Sequence, residues 1–146
     1  MKSKLLRRLL FTVAIVAFIG IAGGYLLWNR PHRDVMHADA ITTDAVSLYN
    51  SFITDSVSAK STYLNEVLAV SGEVKNISLN QQKEQVILFK TSEPDASVNC
   101  TLEGEPITVQ MGDFISLQGI CIGYMGGDAS FGLPGDVFMI RCHRTS

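Results

Sequence analysis

The stretch EVLAVSGEVKNISL, residues 66–79, decides the fold prediction. Leu68, Val70 and Val74 lie on one face of an extended chain, which is the pattern of a strand with one buried side. Gly72 interrupts that face, and a glycine inside a strand marks a bend or a bulge. We therefore predict one long, strongly curved strand over residues 66–79.

Four further segments have strand character and are separated by turn residues. The predicted strands are residues 84–91, 96–103, 113–124 and 136–143, with a glycine-rich loop over residues 125–135. A curved first strand and a longer connection between the third and fourth strands are typical of a five-stranded OB-fold Greek-key barrel. The prediction is therefore a mainly β fold of this type. A five- or six-stranded sandwich remains the alternative, because periodicity does not fix strand order.

An amphipathic helix is predicted before the strands, over residues 43–61, with Thr42 or Thr43 as the N-cap. Its apolar residues recur at helical spacing and are Val46, Tyr49, Phe52, Ile53 and Val57. We expect this stripe to cover the open end of the barrel.

The N-terminus contains twenty uncharged residues, 9–28, enough to span a hydrocarbon core of roughly 30 Å as a helix. Four Lys and Arg residues precede this segment, and Tyr25 and Trp28 lie at its far end, so the predicted orientation is N-in. The predicted organisation is a basic cytoplasmic N-terminus (1–8), a transmembrane anchor (9–28), a linker (29–41) and an OB-fold domain with its leading helix (42–146). A cleaved signal peptide is the alternative to the anchor.

The charge of the chain disfavours nucleic acid as a partner. The net charge is -2 over 146 residues, but residues 29–146 carry eight Lys and Arg against fourteen Asp and Glu, a net charge of -6. OB folds that bind single strands combine a cationic groove with stacking aromatic residues. The available aromatic side chains are Phe89, Tyr124, Phe131 and Phe138.

The three cysteines are predicted to point into the barrel, because each is in phase with apolar neighbours in its strand. Cys100 follows Val98, Cys121 follows Ile115 and Leu117, and Cys142 follows Phe138 and Ile140. In an OB barrel the fifth strand lies between the third and the fourth, so a disulfide would join Cys142 to Cys100 or to Cys121. Buried free thiols are an equal alternative.

Motifs for catalysis are missing from the sequence. It contains no Gly-x-Ser-x-Gly, His-Glu-x-x-His or Gly-x-x-x-x-Gly-Lys motif. The three cysteines with His143 lack the close pairs of a zinc ribbon. We therefore predict that the protein is not an enzyme and has no catalytic, cofactor or metal site.

Several short motifs follow one another in a characteristic order, and their residues are Ala45, Leu48, Tyr49, Tyr63, Leu64, Val70, Gly72, Val74, Gly112, Asp113, Gly119, Cys121, Gly123, Asp136, Val137 and Cys142. Their order over residues 40–142 resembles the bacterial tRNA-anti-like OB-fold family. The resemblance implies an OB fold in a small exported or membrane-anchored protein, and it implies no activity. The chain departs from the family in its longer loop, residues 125–135, and in a membrane span where many members have a lipoprotein signal.

By elimination, the predicted function is a non-catalytic binding or assembly module. It is predicted to be a single-pass protein of the bacterial inner membrane with its C-terminal domain in the periplasm. Its expected partner is an envelope protein, a peptide or a glycan, and the candidate contact residues are Phe131, Tyr124, Phe89 and Lys75. One alternative is binding of single-stranded or tRNA-like nucleic acid. A second is a carrier similar to periplasmic haem chaperones, although the haem-attaching His followed four residues later by Tyr has no counterpart at His143.

Overall fold

The computed structural model describes residues 16–25, 39–128 and 130–145. The chain divides into two compact units, Met1–Arg33 and Asp34–Ser146. In the first unit, residues 16–25 form helix α1. Among the described residues, no helix has both the length and the hydropathy needed to cross a bilayer. Residues 9–15 and 26–28 of the predicted span lie outside the described residues, so the transmembrane helix stays a prediction.

The second unit is mainly β, as predicted. Its elements are β1 (Ile41–Asp44), α2 (Ala45–Thr54), α3 (Ser56–Tyr63), β2 (Val67–Leu79), β3 (Gln85–Lys90), β4 (Ser97–Leu102), β5 (Phe114–Asp128) and β6 (Leu133–Arg144). All five predicted strands are present as β2 to β6. The number five was wrong, because β1 adds a sixth strand that pairs in parallel with β2, from Ile41 opposite Leu68 to Asp44 opposite Ser71.

Five of the strands close on themselves through hydrogen bonding. β2 pairs with β3, β3 with β4, β4 with β6, β6 with β5, and β5 with β2. The last strand therefore lies between β4 and β5, in the order expected of an OB-fold Greek key. β2 pairs with β5 through Val67–Glu73 and with β3 from Val74 onward, and a register shift falls between Val74 and Asn76. A bulge of this kind bends a strand, which explains how one strand serves two neighbours.

The predicted single helix over residues 43–61 was wrong in three respects. The predicted caps Thr42 and Thr43 lie in β1, and Asp44 caps α2 instead by accepting from the backbone N–H of Ser47 at 2.9 Å. The helix is interrupted at Asp55. Its Oδ1 accepts hydrogen bonds from the backbone N–H groups of Val57 and Ser58 and so caps α3. The buried face also differs: Tyr49 and Phe52 are buried together with Ala45 and Leu48. The remaining stripe residues Val46, Ile53 and Val57 are exposed. The apolar face predicted from residue spacing is therefore offset by about one residue from the helix face that packs in the core.

The phase predicted for the last strand was also wrong. Val137, Met139 and Cys142 are buried, whereas Ile140 is on the outside. The register of β6 shifts against both neighbours in this region, and Arg141 adopts a positive φ of 56°. The extra residue of this bulge moves the following side chains to the opposite face. Cys142 therefore points inward although Ile140 does not.

The predicted loop over residues 125–135 is mostly strand. β5 continues to Asp128 and β6 begins at Leu133, with direct pairing of Gly126 to Gly135 and of Asp128 to Leu133. Gly126 and Gly127 have φ of 78° and 76°, which are accessible mainly to glycine. Glycines interrupt the alternation of apolar and polar side chains that predicts a strand, so the sequence indicated a loop.

Candidate contact site at the tip of the β5–β6 hairpin

The stem of the β5–β6 hairpin is fixed to helix α2 by Tyr124. Its hydroxyl accepts a hydrogen bond from the backbone N–H of Gly135 at 2.9 Å. Its ring stacks on Phe52 with 6.4 Å between ring centres and lies 6.2 Å from the ring of Tyr49. A Cβ at Gly135 would lie 2.7 Å from Cζ of Tyr124. The two strands and the aromatic ring therefore leave no space for a side chain there.

Beyond the stem, the hairpin presents three exposed apolar side chains. We define the hairpin tip as residues 125–133, of which Ala129 lies outside the described residues. Met125, Phe131 and Leu133 are 50%, 78% and 60% exposed. Asp128 orders the turn, because its Oδ1 accepts from the N–H of Ser130 at 2.8 Å and its carbonyl accepts from the N–H of Phe131 at 3.1 Å. Covering one such side chain contributes about 1.5–3 kcal/mol, so the hairpin tip is suited to contact an apolar surface.

Residues of the tRNA-anti-like motif pack against one another inside the domain. A Cβ at Gly72 would lie 3.1 Å from Cβ of Ala45, and a Cβ at Gly119 would lie 2.5 Å from Sγ of Cys142. Leu48, Tyr49, Val70, Val74, Cys121 and Val137 belong to the buried core. The motif therefore specifies how the strands and helices pack, and it leaves the hairpin tip unspecified.

The sequence model of the tRNA_anti-like family matches residues 1–131. The chain belongs to the tRNA_anti-like family. A solved structure similar to it is described as an aspartyl-tRNA synthetase from Leishmania major Friedlin, with a TM-score of 0.42 and 6% sequence identity. That similarity covers 79% of this chain and 22% of the synthetase chain, so this chain spans about a fifth of the other protein. No curated protein matches the sequence.

Of the four contact residues predicted for this tRNA_anti-like protein, only Phe131 lies in the hairpin tip. Phe89 is fully buried in the core and cannot touch a partner, which corrects the prediction. Tyr124 belongs to the stem. Lys75 donates to the carbonyl oxygens of Pro94 and Ala96 at 2.6 and 3.0 Å, so its ammonium group holds the β3–β4 turn. Sequence reasoning missed Met125 and Leu133, although apolar residues in a glycine-rich segment were a visible signal.

Lys90 and Arg141 each form an ion pair with a carboxylate on a neighbouring part of the sheet. Lys90 forms an ion pair with Glu73. The carboxylate of Glu103 accepts from Nε of Arg141 at 3.1 and 3.2 Å and lies 3.2 Å from Nε2 of His143. These contacts, with Arg141 contributing most, hold the pKa of Glu103 below its ordinary value.

All three cysteines are fully buried, which confirms that they point into the core. Each is a free thiol in this structure, and the disulfide from Cys142 to Cys100 or Cys121 stays a prediction. The neighbouring Cys142 thiol, together with burial, raises the pKa of the Cys100 thiol. Burial raises the pKa of Cys121 to about 11. Cys100 and Cys121 are therefore protonated at neutral pH, and all three buried side chains pack as small apolar groups.

Metal-binding side chains and a surface groove are the other features of the domain that bear on ligand binding. Within residues 16–25, 39–128 and 130–145, no group of three or more His, Cys, Asp and Glu could hold a metal ion. A groove of about 550 Å³ runs between α2 and α3 and is lined mainly by hydroxyl side chains. The hydroxyls of Ser51 and Thr62 donate to the backbone carbonyls of Ser47 and Ser58 within the same helices. These two hydroxyls are therefore already engaged within their own helices.

Proposed function

We propose that this protein is a non-catalytic binding module of the bacterial inner membrane. Residues 9–28 would anchor it, and its OB-fold barrel would face the periplasm and hold a protein partner through the hairpin tip. The observation that carries this proposal is the exposure of Met125, Phe131 and Leu133 on a stem that Tyr124 fixes in place. Binding residues commonly lie on loops that a rigid frame positions.

The positions of the motif residues support a contact site outside the motif. Side chains that pack in the interior cannot contact a partner. Members of the family that share these residues would therefore share a fold and need not share a ligand. Asp136 illustrates this point, because its carboxylate accepts from the backbone N–H and hydroxyl of Ser97 and from the amide of Asn99. These hydrogen bonds occupy Asp136 in the structure and support a structural role for it.

The two alternative functions receive less support from the charges of the domain. Residues 39–145 contain six Lys and Arg against thirteen Asp and Glu, whereas a nucleic-acid surface needs unpaired cations along a groove. A carrier of the haem-chaperone type would need a histidine available to the ligand, and His143 contacts Glu103. Nucleic-acid binding that weakens steeply with salt, or visible absorbance after exposure to haem, would favour the respective alternative.

Cross-linking in living cells tests the contact site on the full-length protein. Truncating Phe131 removes about 1.5–3 kcal/mol of apolar contact, equivalent to roughly 10- to 100-fold in affinity. We expect Phe131→Ala to reduce recovery of the cross-linked partner by at least about tenfold. Leu79→Ala is the matched control, because Leu79 is also exposed (68%) but lies at the end of β2. Equal recovery from both variants would remove the hairpin tip from consideration.

The orientation is tested by a reporter enzyme fused after Ser146 that is active only in the periplasm. We expect activity from the full-length fusion. An inactive periplasmic reporter together with an active cytoplasmic one would contradict the proposed topology and leave the fold unaffected.

A further inference from the structure

We draw no further inference here: the strongest candidate, the exposed apolar patch of Met125, Phe131 and Leu133 at the tip of the β5–β6 hairpin, belongs to the contact site already described, and nothing in the structure shows what covers it.

Discussion

Gly119 on β5 faces Cys142 on β6, and this contact provides a sharp test of the register between the two strands. A Cβ at position 119 would lie 2.5 Å from Sγ of Cys142, 3.0 Å from the carbonyl oxygen of Ile140 and 3.2 Å from Cα of Cys142. Two of these three atoms belong to the backbone of β6 and cannot rotate away. We therefore expect Gly119→Ala to destabilise the domain.

The expected magnitude follows from two opposing effects. Overpacking of a filled interior costs about 1–3 kcal/mol. Replacing glycine by alanine offsets about 0.4–1 kcal/mol of this cost, because it reduces the conformational entropy of the unfolded chain. Because the obstructing atoms are mainly backbone, we expect a net loss of about 2 kcal/mol. Cys142→Ala alone should cost about 1 kcal/mol, since it removes one buried sulfur. The unfolding free energy lost in the double variant should be smaller than the sum of the two single losses by at least about 1 kcal/mol, because the shortest contact is absent from it.

Urea unfolding of the full-length chain in a mild detergent, followed by circular dichroism, measures these differences. With a slope of about 1.5 kcal/mol per molar urea, a loss of 2 kcal/mol lowers the midpoint by roughly 1.3 M. Gly20→Ala is the control, because nothing lies within 4 Å of a Cβ at that position. A native midpoint for Gly119→Ala, or strict additivity in the double variant, would refute the contact and with it the register of β5 and β6.

Three further predictions follow from the hydrogen bonds and thiols of the domain. Tyr124→Phe leaves the buried N–H of Gly135 without its acceptor, so it should cost about 1–3 kcal/mol and accelerate amide exchange at Gly135. Contacts led by Arg141 lower the pKa of Glu103, so the stability they contribute is present above its ordinary pKa of 4.5 and is lost as the pH falls through the lowered value. Glu103→Gln should reduce this loss of stability at acidic pH, by less than about 1 kcal/mol because the pair is exposed. Melting curves recorded between pH 3 and 7 measure the difference. The reduced native protein should resist alkylation at pH 8, because burial raises the pKa of Cys121 to about 11 and the other two thiols are equally buried; mass spectrometry should find all three labelled only in denaturant.

Strands β2 to β6 could be predicted because each has a run of alternating residues between turn signals. β1 could not, since its four residues, ITTD, have no alternation of their own and are ordered by pairing with Leu68–Ser71. The bulge at Arg141 was equally invisible, because a register shift depends on both neighbouring strands and not on the sequence of one. Local patterns thus indicated where strands lie, and non-local pairing decided which side of β6 faces inward.

The candidate site was only partly predictable for the same reason. Phe131 was found because a single aromatic residue in a glycine-rich segment is unusual. Phe89 was named as a contact residue because it is one of the few aromatic side chains of the domain, and its burial in the core depends on packing that the sequence does not show. Met125 and Leu133 were overlooked because the segment was interpreted as loop, where side chains have no defined direction.

The close packing at the base of the hairpin has a consequence for protein engineering. A Cβ at Gly135 would meet Tyr124 and the backbone of Gly126 at 2.7 Å, whereas nothing lies within 4 Å of a Cβ at Gly132. The stem thus has no space for a side chain at Gly135, whereas the turn at Gly132 has open space around it. Randomised segments grafted in place of residues 130–132 should be displayed without disturbing the interior, so the fold can serve as a presentation frame for selected loops. Libraries that extend into the stem should lose folded members at every position where glycine is replaced.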